Sequence, residues 1–319
     1  MTNTLLAPRE ALIIHTPTPH TQHPVYIYVG RQSPAGRNSV LGALRWAFGV
    51  VGVDYMIIDA WGAFNYGVFV GIKQRLIESG KAPATINHAL SVIRGVLREA
   101  KRLGVITRDT LEDCLEVRNI KTSNEVLAGR EVLISEAGAL FGVCGSDKSP
   151  AGVRDAAILA LLWGAGLRRQ EVAALPLHAV DTSAGRIVVI GKGNKTREVF
   201  IAGGALEALR AWVLLRGSEA GALFGAISKA GRISTKYTTP QAIYNALAKR
   251  RAQAGVVSCS PHDMRRSFVG NLLQVGVDIN TVRGMCGHAS ITTTARYDRR
   301  GSAEKKRAAT LVHTPYSAG

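Results

Sequence analysis

The chain has 319 residues, 46% of them hydrophobic, with 40 Lys+Arg against 23 Asp+Glu and a formal charge of +17. That length and apolar content exclude a disordered chain and favour two packed domains, while the excess positive charge points to a polyanionic partner, nucleic acid before a membrane surface. No charge-free run of about 18 apolar residues is present, so no membrane span is expected, and the N-terminus lacks a secretory pattern. The four cysteines (Cys114, Cys144, Cys259, Cys286) are scattered without a CxxC pair. Neither a disulfide framework nor a metal site is expected, and the setting is a reduced, cytoplasmic one.

Residues 1–23 are rich in Pro, Thr and His without periodicity and read as a flexible tail. Ser33 followed by Pro34 marks a helix start, and the helix should run towards Val51. A second helical segment spans about Trp61–Ser79. The clearest amphipathic helix is Ala84–Leu103, with Ile86, Leu90, Ile93, Leu97 and Ala100 on one side. Arg94, Arg98 and Lys101 lie mostly off that side and are read either as phosphate contacts or as a solvated face. A short helix should cover Thr107–Glu116. The polar stretch from Arg118 to Arg130 has no period and reads as a linker, giving a helical domain over 24–118, a linker over 119–130 and a second domain over 131–319.

From Ser135 the helical pattern returns. A loop at Gly145–Gly152 should lead into an apolar helix, Arg154–Trp163. After Pro176 the period changes: RIVVI (Arg186–Ile190) and REVFI (Arg197–Ile201) flank GKGNKT, a β-hairpin signature. Helices follow at Gly204–Arg216, Thr239–Gly255, Pro261–Val275, Asp278–Cys286 and Ala303–Val312. The second domain is therefore mostly helical with a small antiparallel sheet.

Four stretches in this order, GAGLRRQEV (Gly164–Val172), VIGKGNKTREV (Val189–Val199), SPHDMRRSF (Ser260–Phe268) and GHASITTTARY (Gly287–Tyr297), resemble the boxes of the tyrosine recombinases, or phage integrases. Singly each is weak, because HxxR and GK are common, GKGNK is an ordinary hairpin turn, and a lone Tyr297 reads as a half-buried aromatic. Order and spacing carry the resemblance, which covers about Arg130–Val312 strongly and residues 24–118 only as a helical domain of suitable size. It implies a mainly α fold, with an N-terminal helical core-binding domain and an α+β catalytic domain.

The resemblance assigns Arg168, Lys192, His262, Arg265 and His288 to the active site and makes Tyr297 the nucleophile. The chemistry of the residues agrees. A phenol with a pKa near ~10 attacks poorly at neutral pH unless neighbours polarise its target. Arg168 and Arg265 can grip the non-bridging oxygens of a phosphodiester, and Lys192 can protonate the departing 5′ oxygen. His262 could take the tyrosine proton or bond a phosphate oxygen, His288 could donate to the phosphate, and Glu171 is spaced to hold Arg168. Exchange of one phosphodiester for another needs no ATP, metal or other cofactor. Lys195, Arg197, Arg266, Arg299 and Arg300 are read as phosphate contacts or solvated residues.

Met264 and Cys286 stand where the family commonly has leucine, which affects local packing and leaves the six polar residues in place. The family further implies double-stranded DNA with a specific recombination site as partner, clamped between the domains. It also implies a homotetramer on two sites and a C-terminal helix docking on a neighbouring protomer. The alternatives are a type IB topoisomerase-like nicking and closing enzyme, and a DNA-binding regulator without covalent chemistry.

Overall fold

The computed structural model describes residues 22–121, 129–191, 195–298, 306, 309–312 and 315. The chain divides into two compact units, Met1–Glu125 and Val126–Gly319. Among the described residues no helix is long and apolar enough to cross a membrane.

Among the described residues the elements of the first unit are all helices: α1 (Pro24–Gly30), α2 (Pro34–Val51), α3 (Ile58–Gly62), α4 (Tyr66–Glu78), α5 (Pro83–Arg102) and α6 (Arg108–Leu115). Ser33 caps α2 as its position before Pro34 predicts, accepting from the Gly36 N–H. The segment expected as one helix over 61–79 is two. Asn65 interrupts it and caps α4 by accepting from Val68 N–H at 3.0 Å. The central element is α5, whose apolar side (Ile86, Leu90, Ile93, Leu97, Ala100) is fully buried against α1, α2, α4 and α6. Trp61 stacks on Phe64 with ring centroids 5.3 Å apart, and its indole N–H donates to the Tyr55 carbonyl at 2.8 Å.

His23, expected at the end of the flexible tail, is instead 2% exposed. Its Nδ1 accepts from Val25 N–H, which caps α1, and its Nε2 donates to the Met56 carbonyl at 2.9 Å. Helix α1 itself was not expected: seven residues are too few to show a period. Residues 1–21 lie outside those described.

The second unit holds α7 (Ile134–Ser146), α8 (Pro150–Leu159), α9 (Arg169–Ala173), β1 (Val180–Asp181), β2 (Arg186–Ile190), β3 (Thr196–Phe200), α10 (Gly203–Arg216), α11 (Pro240–Gln253), α12 (Pro261–Gln274), α13 (Ile279–Cys286) and α14 (Ile291–Ala295). The strands form one antiparallel sheet in the order β1-β2-β3, with Arg186 opposite Phe200 and Ile190 opposite Thr196. Ile187, Val189 and Val199 point inward with the period of two that the sequence predicts. Strand β1, two residues long, was too short to be seen in the sequence. Helix α8 begins at Pro150, inside the expected loop, and winds on into a π-helical turn at Ala160–Gly164, where Ala160, Leu161 and Leu162 are fully buried. This apolar rod contacts α7, α10 and α12 and forms the centre of the core. Of the expected C-terminal helix, Lys306, Ala309 and Thr310 are helical and most of the rest lies outside the described residues.

Candidate active site

Five of the six candidate catalytic residues stand at the ends of elements of the second unit. Arg168 precedes α9, His262 and Arg265 occupy the first turns of α12, His288 follows α13, and Tyr297 follows α14. Arg168, Tyr244, Pro261, His262 and Arg265 line a cleft of about 400 Å³. Lys192 lies outside the described residues.

Helix α12 starts with a capping box. Ser260 Oγ accepts from Asp263 N–H at 3.3 Å, and the Asp263 carboxylate accepts from Ser260 N–H at 2.8 Å. With Pro261 at the first helical position, the phase of the helix is fixed from its first residue. That phase puts Arg265 inside, 4% exposed, where its guanidinium donates to the carbonyls of Gly166 and Cys286. Gly166 must be glycine. Its φ is +61°, and a Cβ there would lie 2.3 Å from the ring of Phe268.

Arg168 is set by Glu171. The carboxylate accepts from the Arg168 backbone N–H at 2.9 Å and from Nη1 at 2.8 Å, so the spacing read in the sequence does place the acid on that guanidinium. Nη2 of Arg168 donates to the Gly287 carbonyl at 3.1 Å. Arg197 also meets Glu171, donating from Nη1 and Nη2 at 2.9 and 2.8 Å, while its Nε donates to the Met285 carbonyl at 3.0 Å.

Tyr297 is 8% exposed. Its hydroxyl lies 3.3 Å from His262 Nε2. The ring is stacked with that of His288, centroids 6.2 Å apart, and the Arg266 guanidinium sits 5.6 Å from its centre. His288 Nδ1 pairs with the buried Thr294 hydroxyl at 2.9 Å, so one threonine of the run between the two orients the imidazole.

Burial and the neighbouring charges together set the protonation states. Burial lowers His262 below its ordinary 6.5, helped by Arg266 and Arg265, which leaves it neutral and able to accept from the Tyr297 hydroxyl. Burial, then Arg265, Arg168 and Arg197, bring His288 down to about 4. Burial, reinforced by Arg168, lowers Arg265 to about 10, which still leaves it charged at neutral pH. For Glu171, burial alone would raise the pKa. Bonds from Arg197 and the Arg168 backbone outweigh that and hold it at about 2. The result is a positive cleft with one shared carboxylate, two neutral imidazoles and a phenol, arranged to receive an anion.

Three of the basic residues read as phosphate contacts or solvated positions have protein partners. Arg266 is 5% exposed and donates to the Gly129 carbonyl at 2.9 Å, because it falls on the inner side of α12 where residues 129–132 cross the helix. Arg94 caps the chain after α6, donating to the Val117 carbonyl and to Asn119, and covers Phe69. Arg197 is neither solvated nor free for a phosphate, being engaged by Glu171. Sequence reasoning missed its role, since REVFI reads only as a strand; the signal available was a basic residue flanking a hairpin whose inward partner had to be acidic. Arg98, Lys101 and Lys195 are exposed as expected.

Comparison with known proteins gives the family. The pattern of the phage integrase family matches residues 135–304. Tyrosine recombinase XerC of Alcanivorax borkumensis is 32% identical over 243 residues, covering 74% of this chain and 76% of that protein. XerC of Vibrio cholerae serotype O1 is 38% identical over 162 residues, covering 48% of this chain and 49% of that protein. Among solved structures, the Tn1549 transposon integrase in complex with transposon right end DNA superposes with a TM-score of 0.63 at 18% identity, covering 91% of this chain and 98% of that one. A lambda integrase dimer bound to a COC′ core site gives 0.63 at 14% identity, covering 88% and 80%.

The fold is thus that of the transposon and lambda integrases. The chain belongs to the phage integrase family and is a tyrosine recombinase, an enzyme of site-specific DNA recombination.

Proposed function

We propose that Tyr297 is the nucleophile of strand cleavage and that Arg168, Arg265, His262, His288 and Lys192 serve it. The phenol oxygen bonds to the scissile phosphorus and the bond to the 5′ oxygen breaks, giving a 3′-phosphotyrosyl strand and a free 5′ hydroxyl. His262 Nε2 takes the phenol proton. Arg168 and Arg265 bind the non-bridging oxygens as charge gathers on them, the interaction that strengthens most in the transition state. His288 adds a hydrogen bond to the phosphate, and Lys192 supplies the proton for the leaving oxygen. A 5′ hydroxyl from another strand then reverses the step and regenerates Tyr297. The phosphodiester energy is kept throughout, so neither ATP nor a metal is called for.

The observation that carries this reading is the 3.3 Å approach of the Tyr297 hydroxyl to a neutral imidazole, His262, beside the buried guanidinium of Arg265. The partner is double-stranded DNA with a specific site. Residues 24–118 act as the core-binding domain and 131–319 as the catalytic domain, joined by 119–130. The assembly is a homotetramer on two sites, working in the cytoplasm. The XerC relatives favour recombination between paired sites over topoisomerase-like nicking and closing.

The test is covalent capture on a nicked duplex built on the sequence that the protein selects from a randomised DNA pool. Wild type should form a protein–DNA adduct, and Tyr297→Phe should bind the same DNA and form none. An adduct that persists in Tyr297→Phe would overturn the assignment of the nucleophile. Binding without any wild-type adduct would favour the regulator reading.

A further inference from the structure

Three consecutive carbonyls at the end of α13 each accept from a different arginine. Met285 O takes Arg197 Nε at 3.0 Å, Cys286 O takes Arg265 Nη2, and Gly287 O takes Arg168 Nη2 at 3.1 Å. The last carbonyls of a helix have no partner within it and carry the negative end of its dipole. In α13 only those of Arg283 and Gly284 are answered by the turn that follows, from His288 and Gly287 N–H. The next two, with Gly287 beyond them, receive the guanidiniums. The end of α13 is therefore a rack that sets the two arginines facing the phosphate and carries His288 as its next residue.

We infer that Arg197 is the positioning residue that fixes this rack for strand cleavage. Its side chain is 12% exposed and its three nitrogens are already engaged: Nη1 and Nη2 grip the two oxygens of Glu171, and Nε grips the end of α13. It thereby fastens β3 to α9 and α13 at once. Its planar fork suits a carboxylate and a carbonyl together, which an ammonium cannot span. The Glu171 carboxylate that it holds is the same one that orients Arg168. Without Arg197, Glu171 loses two of its donors, Arg168 loses a fixed counter-ion, and the Cys286 and Gly287 carbonyls lose the tie that keeps their helix end in place. Arg197 does not touch the substrate; it acts through the two guanidiniums that do. The inference rests on the reading of this cleft as the cleavage site.

The experiment compares single-turnover cleavage by Arg197→Ala, Arg197→Lys and wild type on the selected nicked duplex, with the scissile phosphate either native or as a methylphosphonate. The methylphosphonate lacks the negative charge on a non-bridging oxygen, so it needs the paired guanidiniums less. Arg197→Ala should cut the native phosphate roughly 100-fold more slowly, the scale expected of a misplaced catalytic group. It should bind DNA as wild type does and recover most of the loss on the methylphosphonate. Arg197→Lys should behave alike, and it serves as the readable variant where the alanine form does not fold. Wild-type rates on the native phosphate would overturn the inference, as would an equal loss on both substrates. Tyr297→Phe, run in parallel, separates the two readings. An adduct that persists there removes Tyr297 from its role, while the ratio of rates between the two substrates still reports on Arg197.

Discussion

Helices α5 and α12 both open on a proline and both carry several basic residues, yet α5 buries an almost wholly apolar side, with Glu99 the one charge inside, and α12 buries several charged groups. Helix α5 puts Ile86, Leu90, Ile93 and Leu97 inside and leaves Arg98 and Lys101 in water. Helix α12 puts Asp263, Arg265, Arg266 and Ser267 inside together with Met264, Phe268 and Val269. Burying a charge costs several kcal/mol unless partners replace its water. On α12 backbone carbonyls do that for Arg265 and Arg266, and the capping box does it for Asp263. A helix needed only for packing would carry apolar groups at those positions. Guanidiniums held dry against carbonyls are poised to bind an anion strongly, because little water competes for them.

The difference predicts that equally disruptive changes in the two helices fail in different assays. Arg265→Ala should lower the rate of covalent capture by roughly 10³-fold, about 4 kcal/mol, with DNA affinity nearly kept, since it removes a transition-state contact. Leu97→Ala should do the reverse. It should destabilise the first unit by about 3 kcal/mol in urea unfolding, through a cavity in a fully buried site. Its cleavage rate per folded, DNA-bound molecule should match wild type. A variant pair that moved the same observable equally would break the contrast.

How far each helix was legible in the sequence follows the same line. The three-four spacing of Ile86, Leu90, Ile93 and Leu97 gives α5, its buried side and its packing role without further help. The hairpin is as plain, because β-branched runs flank a Gly/Asn turn. Helix α12 has no such stripe, since polar and apolar side chains are buried on it side by side; it was found from the Ser-Pro start and from the resemblance of its HxxR box. Periodicity also cannot show that Arg266 faces inward, that Arg197 meets Glu171 across 26 positions, or that three arginines converge on one helix end. Those depend on long-range geometry, and a basic residue near a family motif reads by default as a DNA contact. Short elements escaped for a simpler reason: α1, α14 and β1 are too brief to have a period.

Two smaller effects sharpen the picture of the site. Gly287 ends α13 with φ +62°, and a Cβ there would meet Arg197 Cδ at 3.1 Å. Gly287→Ala should therefore cost about 1–2 kcal/mol of stability in the second unit, from left-handed strain. It should also slow cleavage by displacing Arg197. The second effect concerns pH. His288 has a folded pKa of about 4 against an ordinary 6.5, so between those values the unfolded chain binds the extra proton. Stability is then complete above about pH 6.5 and is lost as the pH falls towards 4. Glu171, held at about 2 against 4.5, adds a further loss below pH 4.5. Calorimetry from pH 7 to 4 should show the melting temperature dropping, less steeply in His288→Asn. An identical slope in that variant would mean that His288 is not the group titrating.

The smallest effect separates residues within α5 itself. Arg94, Arg98 and Lys101 look equivalent in sequence, each off the apolar side, but Arg94 is spent on the Val117 carbonyl, Asn119 and the face of Phe69. Burial and the neighbouring charge of Arg98 lower its pKa, as suits a guanidinium enclosed by protein. Arg98 and Lys101 have no such tie among the described contacts and remain exposed. If α5 contacts a phosphate backbone, these two carry the contact. Each replacement by alanine should then reduce the slope of log affinity against log salt by about 1 and weaken binding alike on all sequences. Arg94→Ala should leave that slope unchanged and lower the unfolding midpoint of the first unit, because it strips a carbonyl and an aromatic ring of their cover. A salt slope that moves with Arg94 and stays still with Arg98 and Lys101 would reverse the assignment, and with it the view that the basic side of α5 is free for DNA.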